Sequence, residues 1–265
     1  MDGARRHTAL RVVSLLVLSC ACSVWPHASQ APQLKTASTH PMQYYLSLPE
    51  GWVAGKKYPV VVVIDSAERD FLQAANAFAT AREQRPFILV TPLVVTNGGA
   101  GARSVPTYHY SDQVWDRIQS SGPFVFDMDG ITAIMQDVAK QYGGEDKYFI
   151  TGLEAAGHTI FGILFNRPEA LRGAAIVCPN YAGRWVDEAH MSSAPERSTL
   201  PVRNFIGTKD TLCSAGNPIY MQMQKAMSVA EAHGYKNVSL TRVEGKGHER
   251  FAEEVLAYFS ALITQ

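Results

Sequence analysis

Residues 148–163 read YFITGLEAAGHTIFGI, and this stretch decides the fold. The apolar segment YFIT predicts a buried strand, and the small-residue segment that follows predicts a tight turn and a helix start. Gly152, Ala156 and Gly157 leave room for that helix to pack closely against the strand. Glu154 therefore stands at the centre of a strand-to-helix turn.

The rest of the chain repeats this alternation of strands and helices. The run VVVVI at 60–64 is typical of a strand that is buried on both faces. Helical spacing of apolar residues over 129–142 predicts a helix that ends at Gly143. The segment 92–127 is long and irregular, so we expect it to be functional or partly helical.

Alternating strands and helices predict an α/β fold, with a mainly parallel central sheet and helices on both faces. The predicted strands are 42–48, 58–65, 87–91, 147–151, 174–178, 202–206 and 238–243. The predicted helices are 70–82, 129–142, 218–233 and 251–263, besides the one that follows Glu154.

Length and composition indicate one globular domain with a sizeable core, because 46% of the 265 residues are hydrophobic. The 24 basic and 24 acidic residues balance, which argues against nucleic acid or an anionic membrane surface as a partner. No apolar run is long enough to predict a membrane-spanning helix.

The first residues resemble an export signal. Three arginines within 5–11 precede an apolar stretch at 12–25 and small residues at 28–31. We therefore predict a signal peptide over 1–31, a polar linker over 32–41 and a single domain over 42–265. The expected location is periplasmic or secreted, with a lipid anchor at the motif VLSC, 17–20, as a lesser alternative.

Three predicted strands end in residues that carry chemistry: Glu154, Asp210 and His248. In open α/β sheets, sites form at the carboxyl ends of the strands. The order along the chain is position 154, then an acid, then a histidine. The intervening segments each have room for one further strand–helix unit.

The motifs GLEAAG at 152–157, GTKD at 207–210 and GHE at 247–249 carry a family resemblance. With them the chain resembles the α/β-hydrolase superfamily over most of 42–263. Within it, the chain is similar to secreted esterases of the feruloyl-esterase and polyhydroxybutyrate-depolymerase type, and broadly to dienelactone-hydrolase relatives. The resemblance implies an α/β-hydrolase fold whose catalytic positions are Glu154 for the nucleophile, Asp210 for the acid and His248 for the base.

Glu154 departs from the family pattern, which has a serine at this position. A serine hydroxyl is compact and loses its proton to the histidine as it attacks a carbonyl. A glutamate is already ionised, is a poor nucleophile toward esters and fills the space of the acyl carbon. We therefore expect weak or no serine-esterase activity.

The loop after the first long strand is a second departure. Related esterases usually carry His-Gly there and use a backbone N–H of that loop in the oxyanion hole. This chain has DSAE at 65–68. The remaining donor candidates are Ala155, Ser66 and Ala67, and acidic neighbours of the last two would oppose an oxyanion.

Other readings of the same residues stay open. Glu154 would be the nucleophile if the chain works like dehalogenase and epoxide-hydrolase relatives, although no cap segment is evident. A displaced nucleophile, Ser66 or Thr159, is a further alternative. The scaffold would otherwise serve as a small-ligand or carbohydrate-binding protein, or Glu154 would form an ion pair with His248.

We predict no cofactor and no metal ion. Glu154, Asp210 and His248, with His158 one helical turn beyond Glu154, form a weaker alternative as a metal cluster. The expected ligand is a small ester, a sugar or an aromatic molecule, and the sequence gives no oligomeric state. Aromatic residues of the loops at 108–115 and 180–185 are expected mainly to pack against the domain.

Two of the four cysteines, Cys178 and Cys213, lie beyond the predicted signal. Each follows a predicted core strand at the same edge of the sheet. Export to an oxidising compartment would let them form a disulfide. The alternative is two unrelated buried thiols.

Overall fold

A computed structural model describes residues 31–96 and 102–264. The described residues contain eight strands, which form one sheet in the order β1-β2-β4-β3-β5-β6-β7-β8. The first two pair antiparallel, β2 pairs antiparallel with β4, and the other neighbours are parallel. The strands are β1 Gln33–Thr36, β2 Gln43–Ser47, β3 Tyr58–Ile64, β4 Ile88–Pro92, β5 Gly144–Leu153, β6 Leu171–Val177, β7 Val202–Gly207 and β8 Val238–Val243.

Six α-helices connect or flank these strands within the described residues, joined by short 3-10 turns. They are α1 Phe71–Arg82, α2 Asp112–Ser121, α3 Pro123–Tyr142, α4 Ala156–Asn166, α5 Pro218–Ala232 and α6 Ala252–Ile263. The α/β architecture predicted from the alternating pattern is therefore confirmed.

The helices cover both faces of the sheet because the central strands are apolar on both sides. In β3, Val60 and Val62 belong to a core that also contains buried residues of α3 and α4. Val61 and Val63 point to the other face and belong to a core shared with α1 and α6. The uninterrupted β-branched run of this strand thus has a partner layer for each alternate side chain.

The structure differs from the sequence prediction at the domain's N-terminal side. The stretch 32–41, which we predicted as a linker, contains β1, and this strand pairs with β2. An edge strand can form with few apolar residues, so the polar sequence of β1 resembled that of a linker. The predicted signal peptide lies outside the described residues except for position 31.

The segment 92–127 is partly helical, as the long irregular stretch suggested. Ser111 caps α2 by accepting a hydrogen bond from the Val114 amide at 3.4 Å. Pro123 begins α3 ahead of the predicted start at 129, and proline is favoured in a first helical turn. No helix among the described residues is long and apolar enough to span a bilayer.

A buried carboxylate holds the loop that follows β4. Both oxygens of Asp127 accept from the Val95 amide, at 2.9 and 3.0 Å. Its Oδ2 also accepts from the Thr96 amide at 2.9 Å and from the Thr96 hydroxyl at 2.6 Å. Burial raises the pKa of Asp127 to about 7, although these hydrogen bonds act in the opposite direction.

Asp127→Asn should reduce the pH dependence of stability. The pKa of Asp127 is raised on folding, so its protonation stabilises the fold below about pH 4, and this contribution is lost as the pH rises through about 7. The free energy of unfolding of the wild type, relative to the variant, should fall over this range by roughly 4 kcal/mol at most. Urea unfolding at a series of pH values measures the difference. Parallel curves for the two proteins would contradict the assignment.

Candidate active site

The backbone at Glu154 forms the turn that the sequence predicted. Its φ angle is 53°, in the left-handed region that non-glycine residues rarely occupy. The Glu154 amide donates to Val177 O at 2.9 Å, and its carbonyl accepts from the amides of Gly157 and Asn180, each at 2.9 Å. These three bonds fasten the strained residue to the end of β6 and to the first turn of α4.

Close packing on either side of Glu154 explains the small residues around it. A Cβ atom on Gly152 would lie 2.4 Å from Ala156 Cβ and 2.5 Å from Ile64 O. A Cβ atom on Gly157 would lie 2.6 Å from Asn180 O. Gly152 therefore lets β5 approach α4 and β3, and Gly157 lets α4 approach the loop that follows β6.

Asp210, just beyond β7, orients His248 in the loop between β8 and α6. Its Oδ2 lies 2.8 Å from His248 Nδ1, and its Oδ1 accepts from the amides of Leu212 at 2.8 Å and Cys213 at 2.9 Å. Burial by itself would raise the pKa of Asp210, but the His248 bond and the two amides lower it below the ordinary value. The aspartate is thus held as an anion that fixes the orientation of the imidazole.

The two loops that carry this pair are joined by further contacts. The Lys209 amide donates to Lys246 O at 2.9 Å. Arg250, two residues after His248, donates to Asp65 Oδ1 at 2.9 Å and to Gln73 Oε1 at 2.8 Å. The loop that carries His248 therefore contacts the loop that carries Asp210 and, through Arg250, the end of β3.

Glu154 and His248 line one cleft of about 440 Å³, with Asp210 buried behind the histidine. Within the described part of the chain, no ion pair joins Glu154 to His248, so the ion pair considered above is not formed. The other lining residues are Ser66, Glu68, Ala77, Leu153, Lys246, Glu249, Arg250, Phe251, Ala252, Glu253 and Glu254.

No protein-family model matches the chain, and no curated protein matches its sequence. Solved structures do resemble its fold. A candidate dienelactone hydrolase from Klebsiella pneumoniae is 14% identical with a TM-score of 0.60, over 88% of this chain and 98% of that one. Poly(aspartic acid) hydrolase-1 from a Sphingomonas species is 16% identical with a TM-score of 0.60, over the same shares.

An S-formylglutathione hydrolase from Agrobacterium tumefaciens is 11% identical with a TM-score of 0.58, over 91% of this chain and 98% of that one. This chain has the α/β-hydrolase fold. In α/β-hydrolases the nucleophile, the acid and the histidine occur in this order along the chain. Here Glu154 follows β5, Asp210 follows β7 and His248 follows β8.

The oxyanion-hole candidates of this α/β-hydrolase fold are not equally placed. Ala155 is buried at the start of α4, and Ser66 is buried and lines the cleft, whereas Ala67 is exposed. The acidic neighbour Asp65 is fully buried and paired with Arg250. Because Arg250 offsets its charge, Asp65 would oppose the negative charge of an oxyanion less than the sequence suggested.

The displaced nucleophiles considered from the sequence have other partners. The Thr159 hydroxyl is buried and lies 2.6 Å from the Thr96 hydroxyl, within the Asp127 network. The Ser66 hydroxyl accepts from the Glu68 amide at 3.4 Å. Neither contact activates a hydroxyl by a neighbouring base.

The metal cluster considered from the sequence also differs. His158 is buried, and burial followed by the charge of Arg184 lowers its pKa to about 4. The group of possible ligands in the described residues combines Asp210 and His248 with Cys178 rather than with Glu154. Sequence reasoning missed Cys178 as a neighbour of the acid, because the two residues meet only through strand order.

The disulfide that we considered between Cys178 and Cys213 is not formed. Both cysteines are free and buried, yet their thiols lie within hydrogen-bonding contact, so they are not unrelated either. The bond to Cys213, and next the burial, raises the pKa of Cys178 far above its ordinary value. A protonated, buried thiol is not a nucleophile, although it lies close to the histidine.

Most of the loop aromatics pack against the domain. Tyr108 and Trp115 are buried, and their rings meet at 5.6 Å in an edge-to-face contact. Tyr181 is also buried, against Phe161. Trp185 is 38% exposed and stacks on Phe124.

Gly152→Ala should destabilise the α/β-hydrolase domain by about 1–3 kcal/mol, because the new methyl group overlaps backbone that has no space to move. Gly247→Ala is the matched control, since no atom lies within 4 Å of its added Cβ. Urea unfolding of both variants measures the effect. Equal stability of the two variants would contradict the close approach of β5 and α4.

Proposed function

We propose that this protein is an exported relative of carboxylic-ester hydrolases that has weak or no serine-type esterase activity, and whose cleft retains ligand binding. The supporting observation is a carboxylate, Glu154, at the strained turn with φ 53°, beside a histidine–aspartate pair 2.8 Å apart. The acid and the histidine fit the esterase pattern, whereas Glu154 and the loop DSAE at 65–68 depart from it.

Chemistry explains why this substitution opposes serine-type catalysis. The histidine of a serine triad removes a proton from the attacking hydroxyl and returns it to the leaving group. An ionised Glu154 has no proton to give, and its attack on an ester would form an anhydride that is less stable than the ester itself. The side chain is half-buried in the cleft, where we expect it to fill the space that the acyl carbon of an ester would need.

A carboxylate nucleophile is the second candidate, and the Asp210–His248 pair favours it. Glu154 would attack an alkyl carbon, form a C–O bond and expel the leaving group with its electron pair. A water molecule that gives its proton to His248 would then attack the ester carbonyl, release the alcohol and restore the carboxylate. This reaction needs an oriented histidine, and Asp210 provides the orientation.

The proposed ligand of the cleft is a small ester, a sugar or an aromatic molecule. Export is part of the proposal and depends on the charged, apolar and small-residue segments of 1–31. Processing of the N-terminus in an exporting host, followed by mass measurement of the mature chain, tests this part separately from the chemistry.

Glu154→Ser tests the main proposal. The variant should hydrolyse short p-nitrophenyl esters about 10²-fold faster than the wild type, because a hydroxyl placed at the turn gains a general base in His248. Glu154→Ala, which lacks both hydroxyl and carboxylate, is the matched control and should resemble the wild type. Adding His248→Ala to the serine variant should abolish the gain.

Labelling with a fluorophosphonate gives a second readout of the same proposal. The serine variant should be labelled at position 154, and the wild type should remain unlabelled. Labelling of the wild type at another residue would identify a displaced nucleophile. Wild-type turnover of esters or alkyl halides that disappears in Glu154→Ala would reject the main proposal and favour the carboxylate nucleophile.

A further inference from the structure

Three side chains with different donor atoms converge behind the cleft. The thiol of Cys178, a carboxylate oxygen of Asp210 and a ring nitrogen of His248 all lie within 4.8 Å of one another. Sulfur, oxygen and imidazole nitrogen are the donors that Zn²⁺ combines in proteins. The ester chemistry proposed above gives no role to the cysteine.

The spacing of these donors is close to that of a tetrahedral zinc site. Zinc–ligand bonds of about 2.0–2.3 Å place tetrahedral donors roughly 3.3–3.6 Å apart. His248 Nδ1 and Asp210 Oδ2 are 2.8 Å apart, and the third donor lies no farther than 4.8 Å from either residue. Shifts of about 1 Å in these side chains would therefore bring all three donor atoms to the distances at which they bind one zinc ion.

The backbone holds two of these donors firmly. The Cys178 amide donates to Phe205 O at 2.8 Å, and the residue has a φ of 45°. The Asp210 Oδ1 atom accepts from the Leu212 and Cys213 amides, so Oδ2 is the oxygen that faces the histidine. Such outer hydrogen bonds orient ligating carboxylates in metal sites.

Cys213 is a neighbour of this cluster rather than a member of it. Its buried thiol lies in hydrogen-bonding contact with that of Cys178, but it is not among the donors that are all within 4.8 Å of one another. One thiol, one carboxylate and one imidazole form a donor set that favours a thiophilic cation over Ca²⁺ or Mg²⁺, which prefer oxygen ligands alone.

A cation reaches this cluster through His248. The histidine side chain is 21% exposed and lines the cleft, whereas that of Asp210 is 1% exposed. The cleft carries more negative than positive groups, because two cations, Lys246 and Arg250, stand among five glutamates. These are Glu68, Glu154, Glu249, Glu253 and Glu254.

We propose that Cys178, Asp210 and His248 bind one Zn²⁺ ion, whose fourth position is taken by a water molecule. Binding releases the thiol proton of Cys178 to solvent and moves the ring proton of His248 from the ligating nitrogen to the other one, so that the metal replaces the hydrogen bond between Asp210 and His248. Glu154 is not a ligand of this site, but the site shares Asp210 and His248 with the proposed ester chemistry. A bound Zn²⁺ ion would prevent His248 from acting as a general base.

The test uses the purified full-length chain, reduced with a phosphine and freed of metal. Isothermal titration with Zn²⁺ should show one ion per chain, and Cys178→Ser and His248→Ala should each weaken its binding by about tenfold or more. His190→Ala is the matched control, because it removes an exposed histidine that pairs with Asp187 at 2.6 Å. This variant should bind Zn²⁺ like the wild type.

The Cd²⁺ complex of the wild type gives a second measurement, and this one does not require any variant to fold. Its complex with the wild type should show the ultraviolet charge-transfer absorption of a thiolate bound to cadmium, and Cys178→Ser should lack the Cys178 part of it. Zn²⁺ affinity that is unchanged in both site variants would overturn the proposal. A cadmium complex of the wild type without thiolate absorption would overturn it as well.

Discussion

The left-handed backbone at Glu154 is the constraint from which the geometry of the cleft follows. A non-glycine residue adopts φ 53° at a cost, and the cost is offset by three backbone hydrogen bonds to its neighbours. The bond to the Gly157 amide forms only while β5 and α4 are close, which requires the bare backbone of Gly152. The bond to the Asn180 amide requires the bare backbone of Gly157, against which Asn180 packs. The turn therefore presents whichever side chain stands at position 154 to the cleft, whatever its chemistry.

The histidine is held by contacts that do not involve Glu154. Asp210 fixes the ring, and Arg250 ties the same loop to the buried Asp65. The second contact is an ion pair whose carboxylate is buried, and Arg250 also lies 3.8 Å from Glu68. The acid–histidine pair is thus held in place by its surroundings, while position 154 carries a carboxylate. This combination is the basis of the weak or absent esterase activity and of the other use of the histidine that we propose.

Local sequence patterns predicted most of the fold and the three strand-end residues. The β-branched run of β3 and the apolar periodicity of α6 each specify an element without help from distant residues. Edge strand β1 was missed because its stability comes from pairing with β2 rather than from its own apolar pattern. Helix α2 was not delimited either, since it buries only Trp115 and Ile118 and its periodic signal is short.

The sequence by itself determined the α/β class, the turn at Glu154 and the order of that residue, Asp210 and His248 along the chain. Tertiary structure decided which groups touch. Arg250 and Asp65 are 185 residues apart in the chain, and Cys178 meets Cys213 and Asp210 only because β6 and β7 are neighbours in the sheet. Side-chain contacts of this kind depend on strand order and loop position, and no local pattern of residues encodes either of them.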